Sequence, residues 1–247
     1  MSVKGRFVWH DLMTNDAEAA KAYYEALFGW EIRTDHGFTL IYSGGEHIGA
    51  VMPLPSTEVP SNWLPYIATD DVDATVAQST AAGAQVMMAP MDIPGGGRFS
   101  VIGDPTGATF AAFQYTGNRV PKETFPSPPP VGAFCWDEVH TTDRQRAAGF
   151  YPPLFDWTSR AMDMGPGGTY VVFQRDGRDV GGCMESPAPH SFWLSYVAVA
   201  DADATIARAL QLDSKVMMGP HNVPGVGRIA ILMDPRQAAI GIVGPAT

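Results

Sequence analysis

Cysteine is nearly absent from this sequence. Its 247 residues contain two cysteines, Cys135 and Cys183, both in the second half. Two thiols in a chain of this length cannot build the disulfide framework that is typical of small secreted domains. We therefore expect both to be free thiols that pack as small hydrophobic side chains. The N-terminal segment also lacks the apolar core of a signal peptide, so we expect a cytoplasmic location.

Basic residues are scarce as well. The sequence has 16 Lys and Arg against 26 Asp and Glu, a net charge of −10. An acidic protein is repelled by phosphate backbones and by anionic lipid headgroups. No apolar run approaches the length of a membrane span. We therefore expect neither nucleic acid nor a membrane as a partner. The apolar content of 45% is typical of a globular protein.

The chain contains a long internal repeat. The segment VMMAPMDIPGGGR at residues 86–98 recurs as VMMGPHNVPGVGR at residues 216–228, with eight of 13 positions identical. Residues 5–30 also match residues 132–157 at ten of 26 positions. The copies are too long for the units of a solenoid, so the repeat indicates a tandem duplication.

The duplication predicts two domains of ordinary size, residues 1–117 and residues 131–247. Residues 118–130 are rich in proline and predict an extended linker between them. A two-module relative would reach the same arrangement by dimerising. We therefore expect a monomer that contains an internal pseudo-dimer.

Each half predicts the same series of elements: a strand, a helix and three strands, repeated once. In the first half, apolar periodicity and capping residues predict helices over residues 16–28 and 71–82. Residues 89–97 contain two prolines and three glycines, which predicts a loop. We expect Arg98, which follows this loop, to pair with an acidic residue such as Asp104.

Several motifs follow one another in an order that resembles a known family. They are Thr14 and Asp16, then Tyr24, the run Leu27 to Trp30 (LFGW), DDVDAT at residues 70–75 and DPTGA at residues 104–108. Together they resemble the vicinal-oxygen-chelate superfamily, which includes glyoxalase I, bleomycin-resistance proteins and extradiol dioxygenases. The resemblance implies an α+β fold of βαβββ modules paired into cup-shaped mixed sheets. Four modules in one chain imply two such cups.

The resemblance also implies a divalent ion in the cup, held by His, Glu or Gln side chains. The corresponding positions are Trp9, Leu64 and Ala111 in the first half and Trp136, Leu194 and Gly241 in the second. None of these residues has a side chain that can ligate a metal. We therefore expect no cofactor. The alternative is a rearranged divalent-metal site built from Asp11, Glu138 and His140, which alternation places on the same strand faces as the two tryptophans.

Aromatic residues take the place of the missing ligands. The candidates for ligand binding are Trp9, Trp63, Tyr66 and Phe113 in the first half and Trp136, Trp193 and Tyr196 in the second. Convergent aromatic side chains with a few polar groups are typical of a small-molecule pocket. The same side chains could instead fill a hydrophobic core.

Two functions are compatible with these residues. The first is a binding or resistance-type protein that holds a small organic molecule without a metal. The second is an enzyme, either a lyase or isomerase or a dioxygenase, that uses a displaced metal site or none. In an enzyme, Asp11, Glu138 and His140 would be the catalytic residues, as acids, bases or ligands.

Because the residues at these positions cannot ligate a metal, we predict that the protein binds little of it. Protein purified without chelators should carry substoichiometric transition metal, and chelation should leave its melting temperature unchanged. A metal that binds the folded state stabilises it by mass action, so removing it would lower that temperature. Elemental analysis and a thermal melt with and without chelator test this. Stoichiometric metal with a clear drop in melting temperature would contradict the prediction.

Overall fold

The computed structural model describes residues 3–35, 37–56, 58–116, 129–186 and 188–247. The first half forms two βαβββ modules. The first module comprises β1 (Phe7–Met13), α1 (Ala17–Phe28), β2 (Glu31–Asp35), β3 (Phe38–Ser43) and β4 (Glu46–Met52). The second comprises β5 (Asn62–Ala68), α2 (Val72–Ala81), β6 (Gln85–Ile93), β7 (Gly97–Gly103) and β8 (Thr109–Tyr115).

The second half repeats the pattern. The third module comprises β9 (Phe134–Thr141), α3 (Arg144–Phe155), β10 (Thr158–Asp163), a short 3-10 turn (Gly165–Gly167), β11 (Thr169–Arg175) and β12 (Arg178–Glu185). The fourth comprises β13 (Phe192–Ala198), α4 (Ala202–Gln211), β14 (Lys215–Val223), β15 (Gly227–Met233) and β16 (Ala239–Gly244).

The strands form two eight-stranded mixed sheets, one from each half. Their orders are β2-β3-β4-β1-β5-β8-β7-β6 and β10-β11-β12-β9-β13-β16-β15-β14. Within each sheet the first and last strands of a module are parallel, as in the pairs β1 with β4 and β5 with β8, and the hairpins are antiparallel. The predicted α+β fold of four βαβββ modules in two mixed sheets is confirmed.

All four helices begin in the same way. The side chains of Asp16, Asp71, Asp143 and Asp201 each accept a hydrogen bond from the backbone amide three residues further on. Such a cap satisfies one of the amides that a helix start leaves without a partner, and a carboxylate also suits the positive end of the helix dipole. The helices predicted in the first half are therefore confirmed to within a residue at each end.

The prediction of a loop over residues 89–97 is wrong. Strand β6 continues to Ile93, and the turn is confined to residues 94–96. This strand lies at the edge of its sheet, and nearly all its side chains are exposed, so it lacks the apolar alternation that predicts a strand. Pro90 is tolerated there because an edge strand can do without a backbone donor.

Arg98 pairs with acidic residues, as predicted, but they are Asp73 and Asp92 and not Asp104, the example named above. The Arg98 guanidinium instead donates to both carboxylate oxygens of Asp73 at 2.8 and 3.0 Å, and to Asp92 at 2.9 Å. In the second half, Arg228 makes the same two-oxygen contact with Asp203. The repeated segment therefore carries an arginine that ties a hairpin to the first turn of the helix before it.

The cysteines and the helices agree with the expectations drawn from composition. Both cysteines are free thiols, with Cys183 buried and Cys135 partly buried. Burial raises the pKa of the Cys183 thiol to about 12, so it packs as a neutral group. Among the described residues, no helix combines the length and apolar character needed to cross a bilayer.

Packing divides the chain into two compact units, and each draws on both halves of the sequence. One unit contains residues 1–9, 65–124 and 137–193; the other contains residues 10–64, 125–136 and 194–247. The sheets thus follow the predicted halves, whereas the compact units combine a module from each. The domain division at 1–117 and 131–247 stays a prediction, and residues 117–128, most of the predicted linker, lie outside the described residues.

A buried hydrogen-bond network supports the first unit. The Asp104 carboxylate accepts from the backbone amides of Thr106 and Ala108 at 2.7 and 3.0 Å, which closes a turn. Its second oxygen accepts from the Tyr151 hydroxyl at 2.7 Å. The Trp193 indole donates in turn to Tyr151 at 3.0 Å. Burial and the Asp104 charge raise the pKa of Tyr151 well above its ordinary value, so the phenol stays a donor.

The second unit repeats this network with residues from the other two modules. The Tyr24 hydroxyl donates to Asp234 at 3.0 Å, and the Trp63 indole donates to Tyr24 at 3.1 Å. The amides of Arg236 and Ala238 donate to the second oxygen of Asp234, each at 2.8 Å. Burial raises the pKa of the Asp234 carboxyl, so its donors offset a real desolvation penalty.

We predict that Tyr24→Phe lowers the free energy of unfolding by about 1–3 kcal/mol, because it takes a donor from a buried carboxylate. Urea denaturation measures the change. Tyr42→Phe is the matched control, since its hydroxyl donates to the less buried Asp35 at 3.2 Å, where water can replace it. Equal losses of unfolding free energy from the two substitutions would show that the Asp234 network contributes no more to stability than a less buried hydrogen bond.

Candidate functional site

A polar network lies in the second sheet, on strands β9 and β11. Glu138 and His140 alternate along β9, and Tyr170 lies at the start of β11. One Glu138 oxygen is 2.8 Å from His140 Nε2, and the other accepts from the Tyr170 hydroxyl at 2.8 Å. Glu138 and His140 are only 6% and 5% exposed, whereas Tyr170 is partly exposed. We call these three residues the Glu-His-Tyr network.

A glycine makes this network possible. Strand β12 lies between β9 and β11, so Tyr170 must pass over β12 to reach Glu138. It does so at Gly182, which is the register partner of Glu138. A Cβ atom on Gly182 would lie 1.8 Å from the Tyr170 hydroxyl oxygen and 2.3 Å from the ring carbon that carries it. Any side chain at this position would displace Tyr170.

The imidazole of His140 is held on two sides. Its ring stacks on Phe192, with centroids 4.9 Å apart and planes 13° apart. Nε2 faces Glu138, while Nδ1 is buried and has no hydrogen-bond partner. A buried polar atom without a partner costs about 1–3 kcal/mol of stability, so native proteins rarely keep one without a reason.

The first half lacks this network at the equivalent positions. There the residues are Asp11 for Glu138, Met13 for His140, Phe38 for Tyr170 and Ala50 for Gly182. Methionine cannot take the role of the imidazole, and phenylalanine has no hydroxyl. The Phe38 side chain is 50% exposed, and Ala50 carries the Cβ atom that the second half avoids. The fold therefore forms without a Glu-His-Tyr network in one of its two copies.

The metal positions of the superfamily do not supply a metal site here. Leu64, Ala111 and Leu194 are buried apolar residues. The Tyr196 ring covers Gly241, because a Cβ atom there would lie 2.2 Å from the ring. The residues that the structure describes contain no group of three or more His, Cys, Asp or Glu that could hold a metal ion.

Within the described part of the chain, Asp11, Glu138 and His140 do not form a group that could hold a metal ion. His140 Nε2 and one Glu138 oxygen face each other, and the second Glu138 oxygen accepts from Tyr170. Asp11 is buried. The residues present at these positions therefore do not fit a divalent ion.

Some of the predicted aromatic residues come together. Tyr66 packs against Phe113 at 6.2 Å between centroids, and both belong to the same compact unit. Phe99 adds a stacked contact with Tyr66 at 5.9 Å. Trp9 on β1 and Trp136 on β9 are partly exposed. That these side chains contact a ligand stays a prediction.

The structure places two other predicted ligand-binding residues in aromatic clusters. Trp63 is 4% exposed and packs edge-on against Tyr24 and Phe134. Trp193 is 5% exposed and packs against Tyr151. Their indole nitrogens are used in the two Asp-centred networks described above. That Trp63 or Trp193 contacts a ligand stays a prediction.

A small cavity of about 150 Å³ lies elsewhere, in the unit that contains α1 and α4. Its lining includes Leu27, Phe28, Ala204 and Arg208. The Arg208 side chain already donates to the Leu27 carbonyl at 3.0 Å. None of the predicted site residues lines this cavity.

Sequence reasoning missed Tyr170 and Gly182. Five additional residues between β10 and β11 shift the repeat, so Tyr170 aligns with Phe38 only after the hairpins are paired. A comparison of the two copies could have found the signal. The second copy has a polar side chain where the first has Phe38 and Met13, and a glycine where the first has Ala50.

Paired βαβββ modules in eight-stranded mixed sheets define a vicinal-oxygen-chelate protein. Residues 6–112 match the family described as the Glyoxalase/Bleomycin resistance protein/Dioxygenase superfamily. Full-length relatives at more than 30% identity support the match over nearly the whole chain. The chain belongs to this superfamily.

Two relatives illustrate the sequence similarity. The Mycobacterium tuberculosis protein named "Putative glyoxylase CFP32" is 38% identical over 252 residues, covering 96% of this chain and 94% of the relative. The Streptomyces peucetius protein named "Anthracycline biosynthesis protein DnrV" is 33% identical over 261 residues, covering 97% and 93%.

Solved structures show the same fold at low sequence identity. The Mn(II)-bound glyoxalase from Novosphingobium aromaticivorans has a TM-score of 0.66 and 16% identity, covering 100% of this chain and 84% of that one. A substrate complex of homoprotocatechuate 2,3-dioxygenase from Brevibacterium fuscum has a TM-score of 0.68 and 15% identity, covering 100% and 83%. At this identity the likeness concerns the fold alone.

We predict that Gly182→Ala lowers the free energy of unfolding by about 1–3 kcal/mol, because its methyl group overlaps the Tyr170 ring. In a Tyr170→Ala background the same change should cost little, and a double-mutant cycle by urea denaturation measures this coupling. Gly149→Ala is the control, since a Cβ atom there meets nothing within 4 Å. Equal effects of Gly182→Ala in both backgrounds would contradict the assigned geometry.

Proposed function

We propose that this protein binds a small organic molecule at the Glu-His-Tyr network in the second half of the chain. Binding uses the protein's own polar and aromatic side chains. It does not use a divalent ion at the positions where other members of the superfamily hold one.

The observation that best supports this proposal is that only one of the two duplicated copies contains the network. The Asp-centred networks occur in both, as expected of interactions that the fold requires. The Glu-His-Tyr network places a carboxylate and an imidazole in a buried position, which is unfavourable unless every polar atom is paired. Because Nδ1 of His140 is not paired, a role in folding does not account for the network. A ligand that binds at the network would give this nitrogen a hydrogen-bond partner.

The surroundings favour a flat ligand. His140 and Phe192 already stack in parallel planes, and His190 lies 5.6 Å from the same phenyl ring. Stacked aromatic side chains offer a planar molecule large contact area at low entropic cost. The names of the Streptomyces relatives refer to the biosynthesis of anthracyclines, which are planar polycyclic compounds. A planar aromatic molecule is therefore the ligand class that we propose.

A second candidate is a metal-independent lyase or isomerase. An imidazole that is oriented by a carboxylate and has its other nitrogen unpartnered is the arrangement of a general base. His140 and Glu138 have this arrangement. The candidate predicts that protein in D₂O exchanges a proton next to a ligand carbonyl for deuterium. Exchange lost in His140→Met would support it, and no exchange above the buffer rate would contradict it.

Calorimetric titration with planar aromatic compounds tests the binding proposal. Glu138→Gln keeps the shape of the side chain but removes the charge that holds both His140 and Tyr170. We expect it to weaken binding at least about tenfold, because charge-assisted hydrogen bonds are worth roughly 1.5–3 kcal/mol. Asp11→Asn, the same kind of change at the equivalent position of the first half, should leave binding unchanged.

Three outcomes would count against the proposal. Equal losses from Glu138→Gln and Asp11→Asn would mean that the second half is not the binding half. Full affinity in Glu138→Gln would remove the network from recognition. No saturable heat with naphthalene-sized or anthraquinone-sized compounds would contradict the planar-aromatic ligand class.

A further inference from the structure

We infer that the ligand carries a hydroxyl group that donates a hydrogen bond to Nδ1 of His140. The ligand is thus a phenol or an enol, and not a molecule whose polar atoms are only carbonyl or ether oxygens. This inference rests on the proposed function, because it names the ligand class of the same site.

The argument begins with the protons of the network. One oxygen of Glu138 accepts from the Tyr170 hydroxyl, and the other lies 2.8 Å from His140 Nε2. An ionised carboxylate can only accept hydrogen bonds, so Nε2 must carry the proton of the imidazole. In the neutral ring this leaves Nδ1 with a lone pair and no hydrogen. The atom without a partner is therefore an acceptor.

The burial of Nδ1 limits which groups can form a hydrogen bond with it. His140 is only 5% exposed, and within the described structure no protein group donates to Nδ1. A carbonyl or ether oxygen has no proton to donate, so such a ligand would leave Nδ1 unpaired. A hydroxyl group would convert the unpaired acceptor into a hydrogen bond. Recognition of this kind discriminates strongly against an analogue that lacks the hydroxyl.

The plane of the imidazole is also fixed. Glu138 holds one edge of the ring, and Phe192 covers one face with planes only 13° apart. The Nδ1 lone pair lies in the ring plane, so the donor must approach edge-on. The hydroxyl hydrogen of a phenol or enol lies in the plane of its own π-system. A planar hydroxylated ligand that continues the stacked layer can place its hydrogen there.

Tyr170 is the partly exposed member of the network. It sits on a hairpin whose turn contains Gly165, Gly167 and Gly168, and it crosses β12 over Gly182 without a side chain beneath it. Its hydroxyl donates to Glu138, so Nδ1 of His140 keeps its lone pair available to a ligand.

Three probes of nearly the same size test the inference by calorimetric titration: 2-naphthol, 2-methoxynaphthalene and 2-acetylnaphthalene. We expect 2-naphthol to bind at least about tenfold more tightly than the other two, the ratio that corresponds to one hydrogen bond of about 1.4 kcal/mol. His140→Met introduces the residue of the first half and should remove this preference. His47→Phe, at an exposed position of the first half, should keep it.

A second measurement is independent of any ligand. Long-range ¹H–¹⁵N correlation spectra of ¹⁵N-labelled protein distinguish the two tautomers of each histidine. We expect a proton on Nε2 of His140 and none on Nδ1 at neutral pH. His140→Met assigns the signals by difference, and His140→Gln serves the same purpose if His140→Met does not fold.

The outcomes separate this inference from the proposed function. Equal binding of 2-naphthol and 2-methoxynaphthalene would overturn the inference and leave the binding function standing. Tightest binding of 2-acetylnaphthalene, or a proton on Nδ1, would show that His140 donates and would also overturn the inference. If none of the three probes binds, the proposed planar-aromatic binding fails, and the inference fails with it.

Discussion

The fold depends on a buried hydrogen bond between a helix tyrosine and a turn aspartate. In each compact unit the two residues come from different halves of the sequence: Tyr151 with Asp104, and Tyr24 with Asp234. The aspartate also closes the turn between the last two strands of its module, and a tryptophan indole donates to the same tyrosine hydroxyl. One carboxylate therefore fixes a turn, a helix and a strand together. Removing its charge or its donor would leave several buried polar groups unpaired at once.

The duplication separates what the fold needs from what it does not. Both copies keep the Asp-centred network, the aspartate helix caps and the arginine that ties a hairpin to a helix. Only the second copy combines Glu138, His140 and Tyr170 with the glycine that they require. Because the first copy folds with Met13 and Ala50 at the corresponding positions, selection for stability alone does not explain the difference. This contrast makes the second half the place to look for function.

The predictions that failed have a common physical cause. A loop was predicted over residues 89–97 because edge strand β6 is exposed on both faces and therefore has no apolar alternation. Arg98 was expected to pair with an acidic residue such as Asp104, but the Asp104 carboxylate is buried and already accepts from amides and from Tyr151. In both cases the tertiary environment of a residue decided its role, and local composition carried no trace of it.

The sequence by itself determined the four modules and the helix boundaries in the first half. Each of these depends on short-range periodicity, capping residues or the identity of single residues in a repeat. Alternation along one strand was also enough to select Glu138 and His140 as candidates. Only the tertiary structure showed that modules pair across the two halves and that Tyr170 reaches Glu138 over Gly182. The reason is that a contact across an intervening strand depends on strand order and register, which no local pattern in the sequence specifies.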